Sequence, residues 1–551
     1  MKEEGGSFGY SGLGATNRVL KNNSWDGWNF AVNMSSRPWK PFSPAPKNGL
    51  TEPAIKEQPE NLVVSAGETA EFSFTAKGDS LTYQWYKDYT PIQDADTSIY
   101  VISSATAEDA GEYYCVFGNR LGNMSTDTVT LTVGDKELYY NKTSSSAPYE
   151  AEVIYNTKYL TYSGKLNIPS TVTIDDQIYN VTAIAANAFE NCPKILSVTI
   201  PESVTSIGKQ SFNGCTGLTE IIIPGQVSNI GSGAFLNCTN LSSVTMGQSV
   251  SSIGESAFQA TGLVNVSMPA HVSVIGKKAF MNCSLLENIS LNEQLAIIED
   301  SAFFSCVKLN AIEIPNQVTK LGKYALYRCS ELKTIALGTQ LAAIEEYTFK
   351  DCGGLTAVTI PDNILSIGNY AFDNCTGLKT TAIGNGVTHI GNYAFSECDK
   401  LTSVTLGNKV SSISSYAFNR CSLLTGINFP NSLRSIGERA FFYCSSLADA
   451  PLNEGLATIE PYAFYNCAFT AISIPNSVTA LGSYTFSNCA KLLTVKIGTG
   501  ITELADYLFN SCTTLKEIII PQNIVSLGSS ALGYCKGLKS VNIPNLSLIH
   551  I

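Results

Sequence analysis

The chain has 551 residues, of which 44 % are hydrophobic and 15 % charged, a composition typical of folded domains. Its formal net charge of −11 argues against nucleic acid and anionic membranes as partners, because both attract basic surfaces. No stretch reaches the roughly eighteen apolar residues of a membrane-spanning helix, so we predict no transmembrane segment in this chain.

Residues 1–56 hold three of the four tryptophans and a proline-dense run at residues 36–46. Proline density suits a stiff linker, whereas Trp25 and Trp28 also suit the remnant of an upstream domain. Both interpretations stay open. The first residues lack the apolar core of a signal peptide. We nevertheless expect an exported protein whose leader is lost from this sequence, because the domain types identified below usually work outside the cell.

Residues 57–134 change character and predict a β-sandwich, with short strands separated by turns. Trp85, Cys115 and Tyr113 two residues before that cysteine have the arrangement of an immunoglobulin-like domain, which this segment resembles. Phe74 takes the place of the partner cysteine on the second strand, so we expect no disulfide within the sandwich. Cys115 is then predicted to be a small buried apolar residue that packs against Trp85.

Residues 185–545 repeat a unit of 23 residues, and such a period determines the architecture. Each copy reads Leu-x-x-Ile/Val-x-Ile/Leu, then Pro, Gly or Asn, then x-x-Val-x-x-Ile-Gly-x-x-Ala-Phe-x-x-Cys, as in residues 401–421. The alternating apolar segment predicts a short strand, and Val-x-x-Ile-Gly predicts a second extended piece. Phe and Cys, three residues apart, are predicted to share one helical turn. Stacked copies make a mainly β solenoid of about sixteen coils.

This pattern resembles the BspA-type, or Treponema-type, leucine-rich repeats of bacterial and protist surface proteins. The resemblance implies a leucine-rich-repeat solenoid that adheres to host or matrix proteins, or to other cells, through an extended face. Within residues 135–184, a linker, the segments at residues 162–172 and 179–184 resemble the strand-rich entry to such solenoids. We interpret them as the N-terminal cap.

Fifteen of the sixteen cysteines recur with the repeat, which allows free thiols, stacked disulfides or a metal array. Zinc needs converging ligands such as Cys-x-x-Cys, and the sequence has no such spacing. Equivalent side chains in stacked coils point the same way, which opposes the dihedral angle of a disulfide. We therefore predict free structural thiols and no metal.

Candidate catalytic residues are sparse. His271 and His389 lie about five coils apart, roughly 24 Å along the rod, so they cannot share a site, and each is predicted to be a solvated turn or edge residue. No nucleophile elbow or phosphate-binding glycine loop stands out. We predict no enzyme activity in these residues and no cofactor.

Two surface rows are candidate binding sites. The outward slot of each strand is small and weakly polar, which suits an extended peptide or glycan but also follows from strand propensity alone. That slot holds Thr199, Ile222, Thr245, Ser267, Ser290, Glu313, Ala336, Thr359, Ala382, Thr405, Asn428, Pro451, Ser473, Lys496, Ile519 and Asn542.

The second row lies two residues before the Phe slot and is tyrosine in eight of nine successive coils, interrupted by Arg439. Stacked rings can shield the core, but tyrosine is also a rigid amphipathic contact, and its restriction to one stretch is not required for folding. The candidate binding residues are Tyr324, Tyr347, Tyr370, Tyr393, Tyr416, Tyr462, Tyr484 and Tyr507.

The sequence thus predicts an extracellular or cell-surface adhesion protein whose partners are proteins or glycans of a host, matrix or cell surface. One alternative is the substrate-targeting region of a larger secreted enzyme, and another is a passive cell-envelope spacer. Residues 546–551 depart from the repeat and resemble the translation of a sequencing-library adapter. We expect that they are not biological and that the natural chain continues.

Overall fold

The computed structural model describes residues 50–64, 67–133, 138–155 and 162–541. The predictions for residues 1–49 and 546–551, an upstream linker or domain remnant and a non-native tail, lie outside the described residues. Within the described part of the chain, no helix has the length and apolar character to cross a bilayer.

The first domain is a β-sandwich. Its largest sheet has the strand order β2-β10-β8-β5-β6, with β9 on β8, and the pairs β1-β4 and β3-β7 complete it. A single 3-10 turn spans Ala107–Asp109. The strands are β1 Ala54–Glu57, β2 Leu62–Val64, β3 Ala70–Ser73, β4 Thr75–Lys77, β5 Thr82–Lys87, β6 Thr90–Pro91, β7 Ile99–Ile102, β8 Gly111–Asn119, β9 Gly122–Ser125 and β10 Val129–Val133.

The core of the sandwich confirms the immunoglobulin-like prediction. Trp85 is fully buried, and the hydroxyl of Tyr113 donates a hydrogen bond to the carbonyl of Asp109 at 2.7 Å, which is a tyrosine corner. Cys115 is buried as a free thiol. The ring centroids of Phe72 and Phe74 lie 5.9 and 5.8 Å from that of Trp85, so two aromatic rings pack where other domains of this type place a disulfide.

A cap of five strands joins the sandwich to the solenoid: β11 Tyr139–Lys142, β12 Glu150–Ile154, β13 Ser163–Asn167, β14 Thr171–Ile174 and β15 Gln177–Ile184. β13 pairs with the first strand of one solenoid face, and β15 pairs with the first strand of another. The Oγ of Ser163 donates a hydrogen bond to the carbonyl of Val63 at 3.2 Å, so the sandwich contacts the cap beside β13. The cap therefore starts both parallel ladders of the solenoid.

One solenoid face, the strand face, is built from the Leu-x-x-Ile-x-Ile segments, whose inward residues are buried and whose outward residues are exposed. Parallel pairing divides it into the sheets β13-β16, β18-β20, β22-β24-β26-β28, β30-β32-β34-β36 and β39-β41-β43. Its strands are β16 Lys194–Thr199, β18 Glu220–Ile222, β20 Ser243–Thr245, β22 Asn265–Ser267, β24 Asn288–Ser290, β26 Ala311–Glu313, β28 Thr334–Ala336, β30 Ala357–Ile360, β32 Thr380–Ile383, β34 Ser403–Thr405, β36 Gly426–Ile427, β39 Ala471–Ser473, β41 Thr494–Lys496 and β43 Glu517–Ile519.

The second ladder consists of two-residue strands from the Val-x-x-Ile-Gly segments, again paired in parallel from coil to coil. Glycine follows many of these strands because a Cβ there would meet the backbone of the preceding coil, as at Gly231, where it would lie 2.5 Å from a carbonyl carbon. The strands are β17 Ser206–Ile207, β19 Asn229–Ile230, β21 Ser252–Ile253, β23 Val274–Ile275, β25 Ile297–Ile298, β27 Lys320–Leu321, β29 Ala343–Ile344, β31 Ser366–Ile367, β33 His389–Ile390, β35 Ser412–Ile413, β37 Ser435–Ile436, β38 Thr458–Ile459, β40 Ala480–Leu481, β42 Glu503–Leu504 and β44 Ser526–Leu527.

The third side of each coil is a series of turns, and the helical turn predicted between Phe and Cys is not formed in the described coils. Two residues per coil have a left-handed backbone, for example Tyr347 at φ 60° and Asp351 at φ 63°, and such residues cannot continue a right-handed helix. The N–H of Phe349 donates instead to the carbonyl of Ala371 in the next coil at 2.8 Å. The mainly β solenoid is confirmed, with turns as its third side.

The core is continuous through the rod, and its centre is a column of phenylalanine rings. Neighbouring rings from Phe189 to Phe303 stack at centroid distances of 5.1 to 5.5 Å. Leu326 interrupts the column, which resumes at Phe349 and extends to Phe509. Each coil is thereby stabilised mainly by its two neighbours.

Candidate binding surface

The tyrosines predicted as a row do form one, which we call the tyrosine column: Tyr324, Tyr347, Tyr370, Tyr393, Tyr416, Tyr462, Tyr484 and Tyr507. All eight are half-buried and have a left-handed backbone, with φ between 55° and 60°. Coils without a tyrosine fill the same left-handed slot with small or polar residues such as Asn187, Gly233 and Ser256. The backbone therefore does not require tyrosine, whose Cβ makes this conformation costly by about 1–2 kcal/mol.

The rings of the column lie face to face. From Tyr324 to Tyr416, successive centroids are 4.4 to 4.7 Å apart and the planes deviate by 3° to 8°. A second group, Tyr462 to Tyr507, has centroid distances of 4.5 Å. Stacking at this distance covers both faces of each ring inside a group, so ligands reach mainly ring edges and hydroxyl groups.

Arg439 joins the two groups. Its guanidinium carbon lies 5.4 Å from the ring centroid of Tyr416 and 4.6 Å from that of Tyr462, within range for cation–π contacts. One guanidinium nitrogen also donates a hydrogen bond to the Tyr416 hydroxyl at 2.5 Å, and it contacts the Glu438 carboxylate. The residue that interrupts the sequence pattern thus continues the column, because the planar guanidinium takes the place of a ring.

The hydroxyl groups of the column are protonated at neutral pH. Partial burial, followed by the neighbouring Tyr416 and Tyr370, raises the pKa of Tyr393 to about 12. Burial also raises the pKa of Tyr347 and of Tyr484. A protonated phenol both donates and accepts hydrogen bonds, so the column presents closely spaced hydroxyls along one edge of the rod.

Charged groups lie beside the column. Lys350 forms an ion pair with the nearly buried Asp373, and its Nζ is 5.9 Å from the Tyr370 ring centroid. The Nζ of Lys323 lies 3.1 Å from a carboxylate oxygen of Glu346. Both lysines are paired, so the column is flanked by neutralised charge.

The cysteine row has a structural role that the sequence did not reveal. Fourteen of the fifteen repeat thiols donate a hydrogen bond to the carbonyl of the Phe slot one coil earlier; the Sγ of Cys283 lies 3.0 Å from the oxygen of Phe258. In the coil without cysteine, the hydroxyl of Thr261 is 3.2 Å from that same Sγ. All sixteen cysteines are free, and no group of three potential metal ligands occurs among the described residues.

The histidines do not form a site. His389 lies exposed in β33, where its Nδ1 is 2.7 Å from the Oγ of Ser412 and its Nε2 is 3.3 Å from the Oγ of Ser414. These are contacts between side chains of adjacent ladder positions. His271 is exposed in a turn.

Comparisons with known proteins agree with this geometry. The sequence matches the family model described as "BspA type Leucine rich repeat region (6 copies)" over residues 163–285, 251–379, 342–468 and 435–551. Residues 52–133 match the model described as "Immunoglobulin domain".

Two solved structures and one curated protein are similar to parts of the chain. A leucine-rich repeat protein from Bacteroides ovatus is 29 % identical, with a TM-score of 0.61, over 70 % of this chain and 99 % of its own. A leucine rich cell surface protein from Faecalibacterium prausnitzii is 28 % identical, with a TM-score of 0.38, over 57 % of this chain and 95 % of its own. Roundabout homolog 1 of Rattus norvegicus is 34 % identical over 90 residues, which are 15 % of this chain but only 5 % of that protein.

Proposed function

The chain belongs to the BspA-type leucine-rich repeat family, and from this premise we propose that it is a surface-displayed adhesion protein that binds proteins or glycans of a host, matrix or neighbouring cell. Leucine-rich repeat solenoids are binding scaffolds rather than catalytic folds. A similar bacterial protein is described as a cell surface protein, which supports an extracellular location.

The observation that carries the proposal is the tyrosine column. It extends through nine successive coils, with Arg439 as its one non-aromatic member, and its slot accepts Gly, Asn or Ser wherever no tyrosine is present. Maintaining eight tyrosines in an unfavourable backbone conformation is costly, and surface recognition is a reason to maintain them.

The stacked geometry also indicates how the column binds. Ring faces are covered, so a sugar ring or a cation cannot stack on the tyrosines inside a group. We expect contacts through the hydroxyl groups, which are repeated every 4.4 to 4.7 Å along the ring centroids and suit a ligand with repeated hydrogen-bonding groups. Many weak contacts of this kind combine into useful avidity.

The test uses the full chain on an array of matrix proteins and glycans. The triple variant Tyr370→Phe, Tyr393→Phe and Tyr416→Phe keeps the stacked rings and removes three hydroxyls, and we expect at least about a tenfold loss of binding with an unchanged melting temperature. The matched control is Tyr443→Phe with Tyr534→Phe, which removes hydroxyls from exposed tyrosines outside the column. Binding that survives the triple variant, or falls equally in the control, would remove the column from the proposal.

A further inference from the structure

The strand face is parted at one coil. Between β36 and β39, residues 448–452 form no strand, and their one ladder contact is an isolated bridge from Asp449 back to Gly426. In the described structure, no ladder pairing or backbone hydrogen bond joins residues 448–452 to residues 469–474 of the next coil. Backbone groups on both sides of this gap are therefore open to solvent.

Two residues explain why the ladder does not close here. Pro451 occupies the outward strand slot, where it has no N–H to donate and a fixed φ near −65°. Ala450 occupies the inward slot that holds Val404 and Ile427 in the two preceding coils, so the wall of the core is recessed. The next coil is one residue shorter than the repeat, because Cys489 follows Cys467 by 22 residues.

The recess stays dry from below because aromatic rings replace the missing volume. Phe429 contacts Phe441 edge to face at a centroid distance of 5.8 Å, and Phe469 contacts Phe464 in the same way at 5.5 Å. Ala450 and Phe469 are only 4 % and 1 % exposed. The floor is thus a packed apolar surface rather than a defect in the core.

A groove of about 570 Å³ lies over this floor, on a different side of the coil from the tyrosine column. Its walls include Pro451 and Ile519, and its rim carries Asp449, Lys496 and Glu517. Among the described residues, Lys496 makes no ion pair. The groove therefore combines an apolar floor, charges of both signs and unpaired strand edges.

We propose that this groove binds an extended peptide segment of another protein, which adds as a short strand at the parted ladder. Open strand edges present the N–H and C=O groups that a peptide backbone satisfies, and an adjacent apolar pocket accepts one of its side chains. The side chain over Ala450 is apolar and β-branched, because that shape fits a strand above a small recess. The rim charges fix the direction of the peptide.

The site is independent of the tyrosine column, so its test separates the two. A phage-displayed library of 12-residue peptides is selected on the full chain. The closed variant, Ala450→Val with Pro451→Thr, restores residue types of the regular coil and fills the groove. We expect enriched peptides with alternating β-branched residues that bind the closed variant at least about tenfold more weakly. Tyr370→Phe should leave their Kd unchanged.

Backbone pairing is tested separately with synthetic copies of the enriched peptide. N-methylation of every second residue removes donors on one edge of the peptide, so one methylation pattern should abolish binding and the alternate pattern should not. Ala450→Leu, which fills the floor and leaves Pro451 in place, replaces the closed variant if that variant fails to fold.

The contrary results are equally definite. The proposal is overturned if no peptide is enriched, if enriched peptides bind the closed variant equally, or if both methylation patterns are tolerated. Retention of a glycan that is lost on closing the groove would assign it to sugars instead of peptides.

Discussion

The Sγ of Cys398 donates a hydrogen bond to the backbone carbonyl of Phe372 at 3.3 Å, one coil earlier. The same carbonyl accepts the backbone N–H of Cys375 within its own coil at 3.3 Å. Each Phe carbonyl of this kind is thus satisfied twice, once along the chain and once between coils. The thiol therefore locks neighbouring coils together without being the sole partner of a buried acceptor.

This double satisfaction sets the expected cost of removing a thiol. Cys398→Ala should lower the free energy of unfolding by only about 1–2 kcal/mol, because the Phe372 carbonyl keeps its backbone donor while a small cavity forms. Denaturant unfolding measures the loss. Thr261→Cys, which restores the regular residue, should be neutral or stabilising; a loss in that control as large as in Cys398→Ala would contradict the assignment.

The thiols should be inert in the folded protein. Burial raises the pKa of Cys329 and Cys489 to about 12, so the reactive thiolate is scarce at neutral pH. A thiol reagent at pH 7.5 should label few of the sixteen cysteines until denaturant is added, and all of them afterwards. Rapid labelling of most cysteines without denaturant would mean that the coils open readily.

Alkaline pH should destabilise the fold for the same reason. The neutral thiol is favoured in the folded state, so the folded protein retains protons that the unfolded chain releases near pH 9. Stability should be unaffected below that pH and should fall between about pH 9 and pH 12, by about 1.4 kcal/mol per pH unit for each such thiol. Melting temperatures across this range test the sign, and a rise in stability would refute it.

One alanine should be better replaced by glycine. Ala260 occupies a left-handed slot with φ 57°, where only its Cβ is unfavourable. Ala260→Gly should raise the free energy of unfolding by about 0.5–1 kcal/mol. Ala257→Gly, at a buried site without positive φ three residues earlier, should lower it. Equal losses in both variants would show that the left-handed backbone carries no strain.

Stacking in the tyrosine column should be measurable apart from binding. Tyr370 stacks on Tyr347 and Tyr393, at 4.7 and 4.6 Å, so Tyr370→Ser removes two ring contacts worth about 0.5–1.5 kcal/mol each. Tyr370→Phe should cost much less, since it retains both. The comparison is made by thermal unfolding, and equal destabilisation by Ser and Phe would assign the stability to the hydroxyl instead of the ring.

The period of 23 residues was enough to predict the solenoid and to align the tyrosines, because equivalent positions of stacked coils must lie one above another. It was not enough to predict the turn side. Tyr347 and Asp351 are not obvious left-handed residues, so their spacing to Phe and Cys was interpreted as a helical turn. The signal lay in other coils, where Asn187, Gly233 and Asn237 fill the same slots.

Two features depended on tertiary contacts that no spacing encodes. Arg439 interrupts the tyrosine pattern in sequence, yet its guanidinium replaces a ring only because stacked neighbours lie above and below it. Pro451 appeared as one more member of a smooth outward row. Its effect depends on Ala450 beside it and on the short coil that follows, which together part the ladder.

The column of phenylalanine rings also bears on how such a chain changes over generations. Because each ring meets an equivalent ring 5.0 to 5.6 Å away, the surface that one coil offers to its successor is nearly the same at many points along the rod. Recombination that removes or duplicates a whole coil therefore rejoins surfaces that already fit. The number of coils, and with it the reach of the molecule, can evolve without inventing a new core.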